Sequence, residues 1–399
     1  MAREVMGSRR KIFLIATEPS GDHLGAALMK ELRHRFGGDV EFAGIGGREM
    51  ERQGLGSLFP IGDLAIVGFA AIVQQLPMLM RRIREAAAAV VQTKPDILVI
   101  IDSPDFTHRV AKKVRKIDPS IPIVDYVSPT IWAWRPGRAR VMARYVDHVL
   151  AVLPFEPEEH RKLGGPACTY IGHPLIERLD TLRPNAQEQQ RRETPPPVLV
   201  LLPGSRRGEI RHHMQVFGET LAALREQGLA VEPVLPTLPH LLDAVNEAVA
   251  QWPVRPRIVT GEAEKQAAFR TARAALAKSG TVTLELALAG VPMVTLYRGG
   301  AIEAWIARRV VRVSSIILAN LVIGENVIPE FHQEECTAQN LAPALQAILN
   351  DTSQRSRQLE AFAKLDQIMN TGALSPSEAA ADVVIEMLGK DRAPLSERR

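Results

Sequence analysis

Short apolar runs alternate along nearly the whole chain with longer stretches in which apolar residues recur at helical spacing. In the first half, strands are expected at Ile12–Ala16, Glu41–Gly44, Ile97–Ile101, Ile121–Val127 and His148–Val152, with helices over Gly25–Phe36, Leu76–Gln92, Arg109–Ile117 and Arg138–Tyr145 between them. Segment 180–197 breaks the pattern: it is rich in Gln, Arg, Glu and Pro and ends in Pro195-Pro196-Pro197, which marks a domain boundary. The alternation then restarts with Val198–Leu202, Val231–Val234, Ile258–Val259, Ala274–Ala277 and Val291–Leu296. Strand–helix alternation of this kind predicts α/β architecture with parallel sheets, in two similar units facing across a cleft at the carboxyl ends of their strands. The expected units are residues 1–180 and 195–365, with 366–399 a terminal helix and tail packing back on the first unit.

A length of 399 residues at 46% hydrophobic and 24% charged supports two full cores. The formal charge of +4 is small for that length, and no aromatic-interleaved basic stripe or zinc-finger spacing points to nucleic acid. Cys168 and Cys336 lie far apart and outside any Cys-x-x-Cys pattern, as expected of reduced thiols in a cytoplasmic protein. The apolar run Ile12–Ala16 behind Arg9, Arg10 and Lys11 is too short for a signal-peptide core, and no stretch approaches a membrane span. A cytoplasmic protein with at most peripheral membrane contact is expected.

Several chemistries lose support. Gly44-Ile45-Gly46-Gly47 follows a strand, but Glu49 stands where a dinucleotide fingerprint needs its last glycine, and no P-loop ending in Gly-Lys-Ser/Thr occurs. His212 and His213 are adjacent and point to different faces, no His-Glu-x-x-His is present, and no Gly-x-Ser-x-Gly elbow appears. Neither a metal nor a cofactor is expected.

Two glycine turns in the second half suit a nucleotide sugar. Leu201-Leu202-Pro203-Gly204-Ser205-Arg206 brings an Arg to the end of a buried-type strand, in position for a bidentate contact with an anionic oxygen. In Lys278-Ser279-Gly280-Thr281-Val282-Thr283-Leu284-Glu285, Ser279, Gly280 and Thr281 can offer hydroxyls and N–H groups to a diphosphate at a helix N-terminus. Glu285, one turn further on, suits the two hydroxyls of a ribose.

The first half carries longer strings at strand ends: Thr17-Glu18-Pro19-Ser20-Gly21-Asp22, Ile101-Asp102-Ser103-Pro104-Asp105-Phe106 and Tyr126-Val127-Ser128-Pro129-Thr130-Ile131-Trp132-Ala133-Trp134-Arg135. With Ile171-Gly172-His173-Pro174, the two glycine turns and Leu318-Ala319-Asn320-Leu321, this ordered series closely resembles the lipid-A-disaccharide synthase family, from about Ile12 to about residue 345. The resemblance implies two Rossmann-like domains of the GT-B type. It implies transfer of a 2,3-diacylglucosamine unit from its UDP derivative to the 6-hydroxyl of 2,3-diacylglucosamine 1-phosphate. The products would be a β-1,6-linked disaccharide phosphate and UDP, formed with inversion in lipid A biosynthesis. The family's critical acid falls on Asp102, as base or as orienter of the acceptor hydroxyl. Arg206 would face the diphosphate, with Gly204 and Ser205 in its turn, and Asn320 would bind polar groups of donor or acceptor.

Glu18, Ser20, Gly21 and Asp22 surround a turn where the acceptor sugar or phosphate would dock, or form a capping cluster for the following helix. Asp105 reads as a helix cap as readily as a catalytic group, Trp132 and Trp134 as core or as a lipid-facing border, and His173 as structural. The acylated substrates direct attention to two apolar stretches edged by arginines, Ile66–Met80 before Arg81, Arg82 and Arg84, and Ala301–Val313 with Arg308, Arg309 and Arg312. Such stretches fit an anionic inner-membrane surface or an amphipathic helix buried on its own sheet. A homodimer is left open. The competing enzyme reading is another UDP-sugar-using protein of the same architecture, a UDP-N-acetylglucosamine transferase or 2-epimerase.

Overall fold

The computed structural model describes residues 9–64, 69–300 and 315–389, with side chains from Leu76 onward in the helix that begins at Phe69. The chain divides into two compact units, one running to Pro174 and resuming at Thr371, the other Leu175–Asn370.

The first unit is built on strands β1 (Arg10–Ala16), β2 (Val40–Ile45), β3 (Gly56–Ser57), β4 (Ile97–Ile101), β5 (Ile123–Tyr126), β6 (His148–Ala151) and β7 (Ala167–Tyr170). They form one parallel sheet in the order β3-β2-β1-β4-β5-β6-β7. Ile97–Ile101 is buried at every position, as a central strand covered on both faces must be. Helices α1 (Pro19–Arg35), α2 (Arg48–Arg52), α3 (Phe69–Thr93), α4 (Pro104–Ile117), α5 (Gly137–Met142) and α6 (Glu156–Leu163) connect the strands. One face of the sheet packs Phe13, Ile15, Leu98 and Ile100 against Ile83, Val90, Val110 and Val114 of α3 and α4. The terminal helix Pro376–Gly389 lies on α1, where Arg35 pairs with Asp382 at 2.9 Å.

The second unit repeats the plan with β8 (Val198–Leu202), β9 (Glu232–Thr237), β10 (Arg257–Thr260), β11 (Ala274–Lys278), β12 (Met293–Tyr297) and β13 (Glu330–His332), in the order β10-β9-β8-β11-β12-β13. Its core gathers Leu199, Leu201, Phe217, Leu235, Leu276, Leu296 and Leu345.

Both sheets are doubly wound. The order reverses between β1 and β4 in one and between β8 and β11 in the other. Loops leaving neighbouring strands there run to opposite faces and open a crevice at the carboxyl ends, the place where such sheets bind ligands.

Segment 180–197, read from composition as a boundary, folds inside the second unit. Ala186–Glu193 is a helix begun by a reciprocal Asn185–Glu188 capping box. Arg192 on it is buried and donates to the carbonyls of Phe269, Arg270, Ala289 and Gly290 at 2.8–3.1 Å, converting a polar sequence into a docked element. Among the described residues no helix is long and apolar enough to cross a membrane.

Candidate functional site

In the first unit, the turns after β1 and β4 flank the switch point. Gly21 packs there against β4: a Cβ on it would lie 3.5 Å from the Ile101 carbonyl oxygen. Glu18 and Ser20 are exposed beside it, and Glu18 begins α1 without a side-chain cap bond. Asp22 does something else. Its carboxylate is buried and accepts from the N–H groups of Gly47, Glu49 and Met50 at 2.8–3.1 Å, which caps α2 rather than its own helix. A Cβ at Gly47 would come within 2.6 Å of that carboxylate, so the close approach requires glycine.

Asp102 ends β4 with φ +52° and Ser103 follows with φ +46°. Two consecutive non-glycine residues in the left-handed region cost about 1–3 kcal/mol each, strain that persists where it positions a group. The Asp102 N–H donates to the Tyr126 carbonyl at 2.9 Å and its own carbonyl accepts from the Thr107 hydroxyl at 2.7 Å, holding the bend on both sides. Its Oδ1 accepts from the Ser103 N–H at 2.7 Å. Burial, opposed by that hydrogen bond, and then the charges of Glu18 and Asp125 raise its pKa above the usual carboxylate range. It does not cap α4, which starts at Pro104 behind Ser103, while Asp105 lies exposed in the helix's first turn.

A buried polar layer lies along β5 and β6. Asp125 faces His108 Nε2 at 3.1 Å, close but without hydrogen-bond alignment, and His108 Nδ1 meets the Tyr145 hydroxyl at 2.9 Å. Glu156 accepts from the Leu153 N–H at 3.0 Å and the Trp132 indole N–H at 3.3 Å, and burial pushes its pKa up to about 7. Trp132 is thus partly buried against this layer, while Trp134 is exposed. His173 is held neutral by burial, which lowers its pKa to about 4.

In the second unit, Gly204 turns the chain after β8 at φ +130°, and a Cβ there would meet Glu209 at 2.4 Å. Glu209 lies in the first turn of the helix Arg207–Glu226, where its Oε2 accepts from the N–H groups of Ser205 and Arg206 at 2.9 and 3.3 Å. Its Oε1 reaches Lys278 Nζ at the end of β11, 3.0 Å away. Burial opposes ionisation, but the Lys278 ammonium and the Ser205 N–H hold the Glu209 carboxyl below the usual range. The ion pair binds the Pro-Gly-Ser-Arg turn to the Ser-Gly-Thr turn. Ser205 and Arg206 remain exposed, and the Arg206 guanidinium forms no ion pair among the described residues.

His213, one turn further along that helix, joins the same turn to the end of β12. The Arg298 N–H donates to its Nε2 at 3.1 Å, so Nδ1 carries the proton it donates to the Pro203 carbonyl, 2.7 Å away. Ser279 is buried with its hydroxyl turned to the Leu296 carbonyl at 3.4 Å, while Gly280 and Thr281 stay accessible before the short helix Val282–Leu288. Glu285 lies in that helix and pairs with Lys265 at 2.8 Å.

The structure gives Asn320 a buried position. Its Nδ2 donates to the Ile328 carbonyl at 3.0 Å and to Glu330 at 3.2 Å, and its Oδ1 accepts from the N–H groups of Val327 and Ile328 at 3.2 and 3.0 Å. Every polar atom of the amide is used to fix the 315–330 loop against β13.

Sequence reasoning missed Glu209, Lys278, Lys265 and His213. Only Glu209 was readable, as an acidic residue three positions after the helix-starting Arg206. The Ile66–Met80 stretch lies outside the described side chains as far as Gln75; from there Leu76 is exposed, whereas Arg82 is held by Asp63 and Glu85. The Ala301–Val313 stretch with Arg308, Arg309 and Arg312 lies outside the described residues.

Two doubly wound parallel sheets in one chain, each with polar turns at its switch point, define a class of two-domain α/β proteins to which glycosyltransferases and UDP-sugar epimerases belong. A Staphylococcus aureus MnaA–UDP structure superposes with a TM-score of 0.63 over 96% of this chain and 99% of that one, at 12% identity. Acinetobacter baumannii MurG does so with a TM-score of 0.53 over 94% and 99%, at 14% identity. Sequence is more specific than shape here. A profile of lipid-A-disaccharide synthetase matches residues 12–384. The lipid-A-disaccharide synthase of Nitrobacter hamburgensis is 69% identical over 97% of this chain and 98% of its own length, that of Bradyrhizobium diazoefficiens 67% over 96% and 98%, and that of Rhodospirillum centenum 43% over 95% of each. The chain belongs to the lipid-A-disaccharide synthase family, glycosyltransferases that form the lipid A disaccharide.

Proposed function

We propose that the chain joins a UDP-linked 2,3-diacylglucosamine donor to 2,3-diacylglucosamine 1-phosphate by a single in-line displacement, with Asp102 as the base. The observation that carries this reading is the bent, half-buried Asp102 at the switch point, a carboxylate whose pKa is raised and whose Oδ2 makes no hydrogen bond among the described residues.

The acceptor 6-hydroxyl oxygen attacks the anomeric carbon and its proton passes to the Asp102 carboxylate. The bond from that carbon to the diphosphate oxygen breaks, and the electron pair leaves with UDP. Arg206, exposed and without an ion pair among the described residues, neutralises the charge growing on the leaving group together with the exposed Ser205 hydroxyl and the N–H groups of Gly280 and Thr281. Glu285 takes the ribose hydroxyls, exchanging its Lys265 contact or sharing it. Asn320 acts as a positioning residue through the loop that it fixes. Glu18, Ser20 and Gly21 border the acceptor beside Asp102, and the buried Asp22 shapes that border by holding α2. The lipid substrates imply work at the cytoplasmic face of the inner membrane.

The test is UDP release on mixing diacylated donor with the diacylated sugar phosphate, with unacylated UDP-N-acetylglucosamine as comparison. Release that needs both acylated partners supports the reading. Turnover of the unacylated donor alone, or its epimerisation, would overturn it.

A further inference from the structure

Between α4 and α5 the first unit holds an open pocket of about 380 Å³, lined among others by Asp105, His108, Arg109, Lys112, Arg135 and Arg138. Four cations thus face one carboxylate. None of the four forms an ion pair with a described carboxylate, although other basic side chains do so: Arg115, on the same helix, pairs with Asp147, and Arg161 with Glu158. Like charges packed without counterions repel, and Lys112 registers this. Burial and then the charges of Arg138 and Arg109 lower its pKa.

The cations are also oriented. Arg135 takes φ +56°, a costly conformation for a side-chain-bearing residue, and its guanidinium stacks on the Trp134 ring at 4.4 Å, which leaves its N–H edge free. The Trp134 indole is fixed in turn by the Thr130 hydroxyl at 2.9 Å. Lys112 Nζ stands 4.9 Å over the Tyr145 ring, and Tyr145 holds His108 at the pocket wall. Guanidinium forks and an ammonium around a small cavity match a phosphate dianion.

We propose that this pocket is a phosphate-monoester site and that it seats the 1-phosphate of the acceptor sugar, which rests on the acceptor assigned above. Its position suits that ligand. Arg109 and Lys112 lie about 8 and 12 Å along α4 from its start beside Asp102, at ~1.5 Å per residue, and helical side chains lean back toward the N-terminus. A hexose 1-phosphate reaches across that interval once the hydrogen bonds at its two ends are counted, with its 6-hydroxyl at the base and its 1-phosphate among the cations.

The first measurement needs no turnover. Inorganic phosphate and glucosamine 1-phosphate are titrated into the full-length wild type and into Lys112→Gln/Arg138→Gln, with binding followed by 31P NMR line broadening. Arg109→Gln/Arg135→Gln on the same rim serves as a second pair should the first fold poorly. Binding that weakens at least tenfold in the variants supports the site, and equal binding overturns it. In initial-rate measurements, the acceptor KM should rise at least tenfold while the donor KM stays within twofold. An unchanged acceptor KM overturns the acceptor assignment. Phosphatidylglycerol vesicles separate the other source of phosphate: equal vesicle binding by wild type and variants supports the acceptor, whereas loss of vesicle binding with normal acceptor KM assigns the pocket to a lipid headgroup and overturns the proposal. Phosphate binding that depends on the four cations, in a wild type that releases no UDP, would refute the transferase reading while leaving the pocket a phosphate site.

Discussion

Glu209 and Lys278 meet at 3.0 Å across the switch point of the second sheet, so the turn after β8 and the turn after β11 share one ion pair. Both side chains are mostly buried, 15% and 19% exposed, and Glu209 also receives the Ser205 and Arg206 N–H groups. Neutralising either partner loosens the two segments that would cradle a diphosphate. Glu209→Gln and Lys278→Gln should each weaken UDP binding roughly tenfold, the range of a hydrogen bond to a charged group. The double variant should lose little more than either single, because both break one interaction. Isothermal titration with UDP checks this, and additive losses would mean that the residues act separately.

Asp102→Asn keeps the size and most of the hydrogen bonding at the bend but removes the proton acceptor. UDP affinity should hardly change while turnover falls about a hundredfold or more, the usual range for a positioned base. Asp105→Asn, in the exposed first turn of α4, should cost much less. Loss of UDP binding with turnover per bound enzyme intact would remove Asp102 from the base role.

The acid limb of the rate profile follows from the same residue. Asp102 must be ionised to accept the proton, so kcat/KM rises with pH through its pKa, which burial and then Glu18 and Asp125 hold above the usual carboxylate range. Glu18→Gln removes one of those charges and should move the acid limb to lower pH. A limb that stays in place or moves upward would show that another group titrates.

Sequence reading located every central strand and one edge strand, Arg257–Thr260. Ile97–Ile101 and Val198–Leu202 are buried on both faces and read as unbroken apolar runs. The edge strands Gly56–Ser57, Ala167–Tyr170 and Glu330–His332 are at most partly buried, lack that signature and were not anticipated. Helix starts were placed late where proline opens the helix, as at Pro19 and Pro104, because periodicity becomes visible only after the first turn. The turns at the switch points were legible from glycine and local polar residues. Their cross-links were not: Lys278 and His213 reach them from elements set beside them only by tertiary packing, and Asp22 caps a helix some twenty-five residues ahead.

Glu156 should leave a mark on stability. The residue is 2% exposed, and burial raises its pKa from 4.5 to about 7. The folded state therefore binds the proton more tightly than the unfolded one, so this residue's contribution is fully present below pH 4.5 and is lost as pH rises through 7. The shift corresponds to about 3 kcal/mol. Glu156→Gln removes the titration while keeping the side-chain shape, although its amide must turn an oxygen toward the Leu153 N–H. Urea unfolding of wild type and variant at pH 5 and pH 8 tests this: between the two pH values the stability difference should move in favour of the variant by about 1–3 kcal/mol. Parallel pH dependence in the two proteins would mean that Glu156 is already ionised in the fold, its charge held by the Leu153 and Trp132 N–H groups.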